Sequence, residues 1–239
     1  MSEAFQRIEA GNLTWLARES LPLMHDPEGY LRDSSRLIKS SRVVTIARVP
    51  PNLILRRLNY GKLLHRLRDC FRPSRATRAL IASTWLERAG IRTPRGIAAA
   101  EVRFFRWPRA AYLITEEVPN APTLASLFTS KRKIPSGMPE MIARLHQGGL
   151  SHRDLKWTNI LFDQQFTPWL IDLDGLRRMP CVPDDRAQGD LLTLARCFKP
   201  YPVTLKWSGA RFLYRYCALQ KRPFKPWALA MLRRLQSGA

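Results

Sequence analysis

The segment from residue 149 to residue 175 constrains this chain more than any other. Residues 152–159 read H-R-D-L-K-W-T-N, and residues 172–175 read D-L-D-G. Between them, short apolar runs at 160–162 and 169–171 flank a polar stretch, which is a pattern typical of a β-hairpin. Such a hairpin would hold Asn159 and Asp172, at its two ends, on neighbouring strands.

Four side chains of this segment carry groups that phosphoryl transfer requires. Asp154 can orient an acceptor hydroxyl and take its proton, and Lys156 can neutralise charge on the transferred phosphate. Asn159 and Asp172 supply an amide oxygen and a carboxylate, which are ligands that Mg²⁺ prefers. The segment matches the kinase pattern H-R-D-L-x-x-x-N, and D-L-D-G stands where kinases have D-F-G. We therefore predict Asp154 and Lys156 as catalytic residues and Asn159 and Asp172 as metal ligands.

The net charge is +21 and is unevenly distributed. Residues 31–110 contain 19 Lys and Arg against 4 Asp and Glu, a net charge of +15. A field of this size attracts anionic partners. Nucleic acid, an acidic lipid surface and a phosphate-rich substrate all fit, and so does a basic face that only keeps the protein soluble.

The cysteines and the apolar runs exclude several classes. Four cysteines are scattered without a C-x-x-C or Cys/His pairing, so neither a zinc site nor a disulfide framework is indicated. The first residues lack the apolar core of a signal peptide. No apolar run approaches the roughly 20 residues that span a bilayer. We expect a soluble or peripheral protein with reduced thiols.

The first half of the chain predicts a small sheet with one main helix. Residues 1–35 are interpreted as a mixed, partly helical lead-in. Strands are predicted at 42–49, 53–57, 96–101 and 110–115, the first two as a hairpin around a Pro-Pro-Asn turn. Apolar residues at helical spacing predict a helix over 74–89, ended by Ala89-Gly90.

The second half predicts mainly helices. The stretch 116–122 is interpreted as a connector, followed by helices at 123–128, 139–147, 190–198, 211–220 and 226–235. The chain is therefore expected to be an α+β protein with a β-rich amino-terminal lobe (1–116) and a helical carboxy-terminal catalytic lobe (117–239). Asp190 either caps its helix or reaches the backbone of the catalytic loop, and we favour the cap.

With these residues in place, the chain resembles the lipopolysaccharide kinase (Kdo/WaaP) family, whose fold is protein-kinase-like. The resemblance rests on 37–42, 68–76, 89–95, 112–118 and the catalytic segment, and extends over roughly 35–200. It implies ATP-dependent phosphorylation of an inner-core sugar of lipopolysaccharide, either heptose or Kdo. It also implies a peripheral position on the cytoplasmic face of the bacterial inner membrane, and the basic first half agrees with an acidic membrane surface as partner.

The resemblance also implies a nucleotide site. Adenine would bind the carbonyl of Glu116 and the amide of Val118. Arg56 stands where the family commonly carries a lysine that pairs with ATP phosphates, and Lys62 is the alternative in another register. Arg is not equivalent to Lys there. The helix over 74–89 has no glutamate before Glu87 to complete the usual ion pair, so a pseudokinase that binds nucleotide without turnover remains an alternative.

Two further alternatives stay open. The H-R-D-L-K sequence also fits a Ser/Thr protein kinase, although no A-P-E follows Gly175. A non-catalytic basic scaffold is the other, but nucleic acid is not expected as its partner because the chain has no recognised nucleic-acid module. We interpret Phe104, Phe105 and Trp107 as packing on the sheet, and His152 as packing beneath the catalytic loop. The sequence makes no prediction of oligomeric state.

Overall fold

The chain packs into two compact units. The computed structural model describes residues 5–60, 66–67, 69–131, 137–197 and 204–236. The first unit comprises Met1–Trp85 and Pro94–Pro119, and the second comprises Leu86–Thr93 and Asn120–Ala239.

The predicted division into lobes at residues 116 and 117 stays a prediction. Leu86–Thr93 pack with the second unit although they precede Pro94 in the chain. Lys62, the alternative ATP-phosphate residue, lies outside the described residues.

A seven-stranded antiparallel sheet forms the first unit. Its order is β1-β2-β6-β7-β5-β4-β3. The predicted hairpin around the Pro-Pro-Asn turn is confirmed, because its two strands pair directly from Val49 opposite Leu53 to Val44 opposite Leu58. The strands are β1 (Gln6–Ala10), β2 (Leu13–Ala17), β3 (Leu37–Ser40), β4 (Val44–Val49), β5 (Leu53–Asn59), β6 (Gly96–Phe104) and β7 (Trp107–Glu116).

The first unit carries a short helix α1 (Pro27–Arg32) and most of the main helix α2 (Arg75–Arg88), whose last three residues belong to the second unit. The Thr77 N–H donates to Ser74 Oγ at 3.0 Å, so Ser74 caps the start of α2. Gly90 follows the helix with a φ of +65°, a conformation that favours glycine. A Cβ at Gly96 would lie 2.6 Å from Ser83 Oγ, so this glycine permits the close approach of α2 to β6. The predicted helix is confirmed.

The interpretation of residues 1–35 as a partly helical lead-in is wrong for its first half. Residues 6–17 form the β1–β2 hairpin, closed by the two-residue turn Gly11-Asn12, and β2 pairs with β6. Gly11 has a φ of +58°, as hairpin turns of this length require. Trp15 and Ala17 alternate into the core with a period of two, which is a strand pattern.

The packing predicted for the β6–β7 aromatics is wrong for Phe105. Phe104 pairs with Trp107, so Phe105 and Arg106 form a two-residue turn. Phe105 is 89% exposed there, and Phe104 is 58% exposed. The turn projects past the end of the strand ladder, where no sheet surface remains to cover it.

The second unit is mainly helical, with two small antiparallel pairs. The hairpin predicted from the apolar runs at 160–162 and 169–171 is confirmed, because Ile160–Phe162 pair with Pro168–Leu170. The helices are α3 (Leu124–Lys131), α4 (Met138–Gln147), α5 (Asp184–Arg196), α6 (Thr204–Leu219) and α7 (Phe224–Gln236). The strands are β8 (Leu150–Ser151), β9 (Ile160–Phe162), β10 (Pro168–Leu170) and β11 (Arg177–Arg178).

The predicted α+β class, with one β-rich and one mainly helical part, is confirmed. The helix expected at residue 190 instead begins at Asp184, directly after Pro183. Among the described residues, no helix has both the length and the apolar character needed to cross a bilayer.

We expect the β1–β2 hairpin to contribute measurably to the free energy of unfolding. Trp15 is fully buried, and its ring lies 6.1 Å from that of Tyr112. Trp15→Ala should lower the free energy of unfolding by about 4 kcal/mol, because it leaves a large cavity. Denaturant unfolding measures this loss. Phe105→Ala removes an exposed aromatic of the same unit and should change stability by less than about 0.5 kcal/mol; equal losses in both variants would contradict the placement of β2.

Candidate active site

Asp154 and Lys156 form an ion pair on the surface of the second unit. Lys156 Nζ lies 2.8 Å from Asp154 Oδ2, and both side chains are about half exposed. The hydrogen bond to Asp154 raises the pKa of Lys156, against desolvation, and the charges of Asp154 and Asp172 add to the rise. The ammonium is therefore held in its charged form beside two carboxylates, at a position open to substrate.

Asn159 is oriented by the same carboxylate. Its Nδ2 donates to the Asp154 carbonyl at 2.9 Å and to Asp154 Oδ2 at 3.3 Å. Since the amide nitrogen is engaged, the amide oxygen is directed away from Asp154. Among the described residues, that oxygen receives one long contact, at 3.5 Å from Thr158 Oγ1, so it is suited to bind a cation.

Asp172 is brought to Asn159 by the β9–β10 hairpin. Ile160 pairs with Leu170, and the Ile171 N–H donates to the Asn159 carbonyl at 3.0 Å. Asp172 then adopts a left-handed conformation, with φ 63° and ψ 60°, which turns the chain out of the hairpin. An amide oxygen and a carboxylate are both hard oxygen donors, so this pair fits Mg²⁺.

The buried carboxylate of Asp190 accepts hydrogen bonds from the backbone of the catalytic loop, which comprises residues 152–159. The N–H groups of His152 and Arg153 donate to its two oxygens at 2.9 and 2.8 Å. Arg153 has a φ of 63°, an uncommon conformation for a residue with a side chain. The favoured interpretation of Asp190 as a helix cap is wrong, because it lies in the middle of α5; the other interpretation, contact with the catalytic-loop backbone, is confirmed.

Two buried histidines complete this support. His146 Nε2 lies 3.2 Å from Asp190 Oδ2, and His146 Nδ1 lies 2.6 Å from the Tyr216 hydroxyl. His152 is fully buried, and its Nε2 donates to the Ile171 carbonyl at 3.1 Å. The interpretation of His152 as a structural residue is confirmed, since this bond ties the loop to the strand that leads into Asp172.

Hydrogen bonds decide the ionisation of Asp190. Burial acts to raise its pKa, but the hydrogen bond and charge of His146 and the N–H groups of Arg153 and His152 outweigh burial and lower the pKa. The carboxylate is therefore ionised at neutral pH, and it accepts all three hydrogen bonds.

The residues predicted to bind the nucleotide lie in the first unit. Arg56 is half buried in β5, where it pairs with Leu113 of β7. Glu116 ends β7, and its N–H donates to the Arg95 carbonyl at 2.9 Å. Val118 follows beyond the strand, so its amide lies outside the strand ladder. The structure thus brings together Asp154, Lys156, Asn159 and Asp172, while these three predicted positions belong to the other unit.

Sequence reasoning missed the hydrogen bonds of His146 and Tyr216 in this network, and of its two roles for Asp190 it favoured the wrong one. A signal for Asp190 exists in the sequence. Ala187, Asp190, Leu191 and Leu194 recur at helical spacing and are all buried, so an acid occupies the apolar face of α5. A carboxylate on an apolar face needs hydrogen-bond donors.

The β-rich unit, the helical unit and this catalytic loop define a protein-kinase-like fold. Solved structures agree with that class. "WaaP in complex with acyl carrier protein" matches with a TM-score of 0.62 and 18% identity, covering 84% of this chain and 88% of that one. A crystal structure of WbdD matches with a TM-score of 0.54 and 14% identity, covering 96% of this chain and 52% of that one.

The sequence comparisons identify one family among proteins with this fold. The family model described as the lipopolysaccharide kinase (Kdo/WaaP) family matches residues 41–216. The chain therefore belongs to that family, as the resemblance indicated.

Curated relatives named 3-deoxy-D-manno-octulosonic acid kinase, the full name of a Kdo kinase, match over shorter stretches. The Vibrio parahaemolyticus protein is 36% identical over 115 residues, which is 46% of this chain and 47% of that protein. The Xanthomonas axonopodis pv. citri protein is 41% identical over 92 residues, covering 37% of this chain and 36% of that protein. The matched stretches thus span about half or less of these relatives' lengths.

The lowered pKa of Asp190 predicts that its contribution to the free energy of unfolding depends on pH. Asp190→Asn should lower the free energy of unfolding at pH 7 by about 3 kcal/mol, because an uncharged amide cannot accept all three hydrogen bonds. Since the folded-state pKa lies below the ordinary 3.8, this stabilisation is fully present above pH 3.8 and is lost as the pH falls through the folded-state value. Denaturant titrations of both proteins from pH 7 down to pH 3 measure the difference.

Glu140→Gln is the matched control, because Glu140 makes a surface ion pair with Arg215. It should cost less than about 1 kcal/mol at every pH. A difference between wild type and Asp190→Asn that stays constant down to pH 3 would contradict the role assigned to this carboxylate.

Proposed function

We propose that this chain is a kinase that transfers the γ-phosphoryl group of ATP to a Kdo hydroxyl of the lipopolysaccharide inner core. The observation that carries the proposal is the Asp154–Lys156 ion pair, with Asn159 bonded to the same carboxylate. Membership of the lipopolysaccharide kinase family supports the reaction. The names of the curated relatives favour Kdo over heptose as the acceptor.

In the proposed reaction, Asp154 accepts a hydrogen bond from the acceptor hydroxyl and takes its proton. The hydroxyl oxygen forms a bond to the γ-phosphorus as the bond from that phosphorus to the leaving oxygen of ADP breaks. Lys156 remains charged beside Asp154 and balances the negative charge of the transferred group. Its ion pair also fixes the carboxylate, so that one oxygen is presented to the acceptor.

Asn159 and Asp172 would hold Mg²⁺, which supplies positive charge to the ATP phosphates when it is bound. Arg56 is proposed to contact those phosphates, and the backbone at Glu116 and Val118 to bind adenine. Because the two adenine contacts are main-chain groups, side-chain changes at these positions should affect nucleotide binding weakly.

A Ser/Thr protein kinase is the less favoured reading of the same loop. Only residues 176–183 separate Gly175 from the start of α5 at Asp184. Part of this short stretch is already used by β11, which pairs with β8. A segment of this length offers little backbone on which a peptide substrate could lie, and a sugar acceptor needs no such platform.

We also propose that the protein acts as a peripheral protein on the acidic cytoplasmic face of the bacterial inner membrane. Support comes from the first unit, where an aromatic tip combines Phe71, Phe104 and Phe105, with Phe71 77% exposed. Arg106 lies over the Phe71 ring at 5.1 Å, and Arg109 over the Phe104 ring at 5.2 Å. Exposed aromatics flanked by arginines suit the boundary between lipid headgroups and acyl chains.

The tip is built rigidly. Arg103 pairs with Glu101 at 2.9 Å and donates to the carbonyls of Asp69 at 3.1 Å and Arg72 at 2.8 Å. These bonds fasten the loop that carries Phe71 to the β6–β7 hairpin that carries Phe104 and Phe105. The backbone that carries the exposed rings is therefore held in place, and inserting the rings into a bilayer would order little additional chain.

The proposed reaction predicts loss of activity on a single atomic change. Asp154→Asn should lower kcat for phosphate transfer to lipid-linked Kdo by about a thousandfold, since it removes the proton acceptor. Transfer of radiolabelled phosphate from ATP measures this, with Kdo-bearing lipid A and a heptose-bearing core offered in parallel. We expect labelling of the Kdo acceptor in the wild type.

Glu140→Gln is again the matched control and should retain full transfer. Labelling of the heptose acceptor alone would contradict Kdo as the acceptor, and labelling of generic proteins alone would favour the protein-kinase reading. Nucleotide binding without transfer to any acceptor would favour a pseudokinase.

The membrane proposal predicts that single phenylalanines set the affinity for acidic vesicles. Phe105→Ser should weaken binding to phosphatidylglycerol-containing vesicles about tenfold, because a buried phenylalanine contributes at least 1.4 kcal/mol. Phe166→Ser changes an exposed phenylalanine of the second unit and should leave binding unchanged. Vesicle sedimentation measures both, with phosphatidylcholine vesicles as the neutral reference. Equal binding by the two variants would contradict a docking role for the tip.

A further inference from the structure

The second unit contains a strongly basic pocket that the proposed reaction does not use. Its volume is about 320 Å³, and neither Asp154 nor Lys156 lines it. Its walls come from β8, the catalytic loop, α5 and α7. The lining includes Ser151, Arg153, Arg186, Gly189, Arg196 and Arg234.

Positive charge predominates in this pocket. Four guanidinium groups line it, against the carboxylates of Asp185 and Asp190. Asp190 is buried, and its oxygens are engaged by the backbone of the catalytic loop and by His146. Asp185 is exposed and lies 4.0 Å from Arg186 Nε, at the limit of an ion pair. The pocket therefore retains an excess of positive charge in a concave site, where the field on an anion is strongest.

The face of α5 toward the pocket is open. Arg186, Gly189, Thr193 and Arg196 recur at intervals of three and four residues, so they share one face of the helix. A Cβ placed on Gly189 would meet nothing within 4 Å. Thr193 Oγ1 donates back to the Gly189 carbonyl at 2.9 Å, so its hydroxyl proton is directed at the helix and not at the space above Gly189. A group of the size of phosphate can approach this face without a clash.

The pocket is coupled to the catalytic loop through Arg153. This residue directly precedes Asp154, and Asp190 holds its N–H at 2.8 Å in a left-handed conformation. An anion that contacts the Arg153 side chain therefore bears on the same backbone segment that positions Asp154.

We propose that this pocket is a second anion site, which binds a phosphate dianion. Planar guanidinium groups bind phosphate oxygens in pairs, and an arrangement of several arginines selects a dianion over a halide. The dianion can be free inorganic phosphate or the monoester group of a phosphorylated sugar. The site does not depend on phosphoryl transfer by Asp154.

Calorimetric titration of the full chain with inorganic phosphate and, separately, with glucose 6-phosphate tests the site. The double variant Arg186→Gln/Arg196→Gln should bind either probe at least tenfold more weakly than the wild type. Arg233→Gln removes a neighbouring exposed arginine of α7 that does not line the pocket, and it should bind as the wild type does. At least tenfold tighter binding of glucose 6-phosphate identifies a sugar phosphate as the ligand, and any smaller difference shows that the site recognises the phosphate group alone.

Gly189→Glu is the second variant, because it places a carboxylate in the open space above α5 and keeps every arginine. It should abolish binding, while the thermal midpoint of unfolding without ligand shows whether the variant folds. Asp154→Asn should bind as the wild type does, which separates this site from the proposed reaction. Binding that is unchanged in both Arg186→Gln/Arg196→Gln and a folded Gly189→Glu, or no binding of either probe by the wild type, would overturn the proposal.

Discussion

The buried carboxylate of Asp190 is the constraint on which the active-site geometry of this protein depends. It lies on the apolar face of α5, where an unsatisfied charge would be strongly destabilising. Its partners are the N–H groups of His152 and Arg153, together with His146. Satisfying this charge requires the loop to present two successive N–H groups to one carboxylate, and Arg153 accordingly adopts a positive φ. The position of Asp154, the next residue in the chain, is set by that backbone conformation.

The site therefore separates support from chemistry. Asp190, His146 and His152 are buried and fix the loop, while Asp154 and Lys156 are half exposed, as the proposed reaction requires. The β9–β10 hairpin adds the second half of the site, because its final backbone bond joins Ile171 to Asn159 and delivers Asp172. Rigid support beneath exposed reactive groups reduces the ordering that substrate binding must supply. The same arrangement leaves Arg153 on the wall of a basic pocket, so the catalytic loop contributes residues to two sites.

Much of the fold was predictable because its signals are local. The Pro-Pro-Asn turn marked the β4–β5 hairpin, and Ser74 and Gly90 marked the ends of α2. The β1–β2 hairpin was missed although Gly11-Asn12 is a turn signal, because its strands are short and residues 1–35 were interpreted as a mixed, partly helical lead-in. A pairing of β2 with β6, some 80 residues away, stabilises these short strands. No local sequence pattern predicts that pairing.

The site residues also differ in how far the sequence predicts them. The grouping of Asp154, Lys156, Asn159 and Asp172 was predictable, because a loop and one hairpin bring them together. The role of Asp190 was only the less favoured of two predictions, since it acts over 37 and 38 residues of sequence on backbone groups, which leave no side-chain signature. The basic pocket was also missed, because its arginines come from three separate segments of the chain. Long-range contacts to backbone are the class of interaction that a single sequence reports least.

Hydrogen exchange of the His152 and Arg153 amides tests the central claim, that Asp190 holds the catalytic loop. In the ligand-free wild type, both amides should be protected although they belong to a loop, because a charged acceptor contributes about 1.5–3 kcal/mol to each bond. In Asp190→Asn, their exchange should accelerate by about ten- to a hundredfold relative to amides of the β4–β5 hairpin, which act as the internal reference. Rapid exchange of both amides in the wild type would contradict the account.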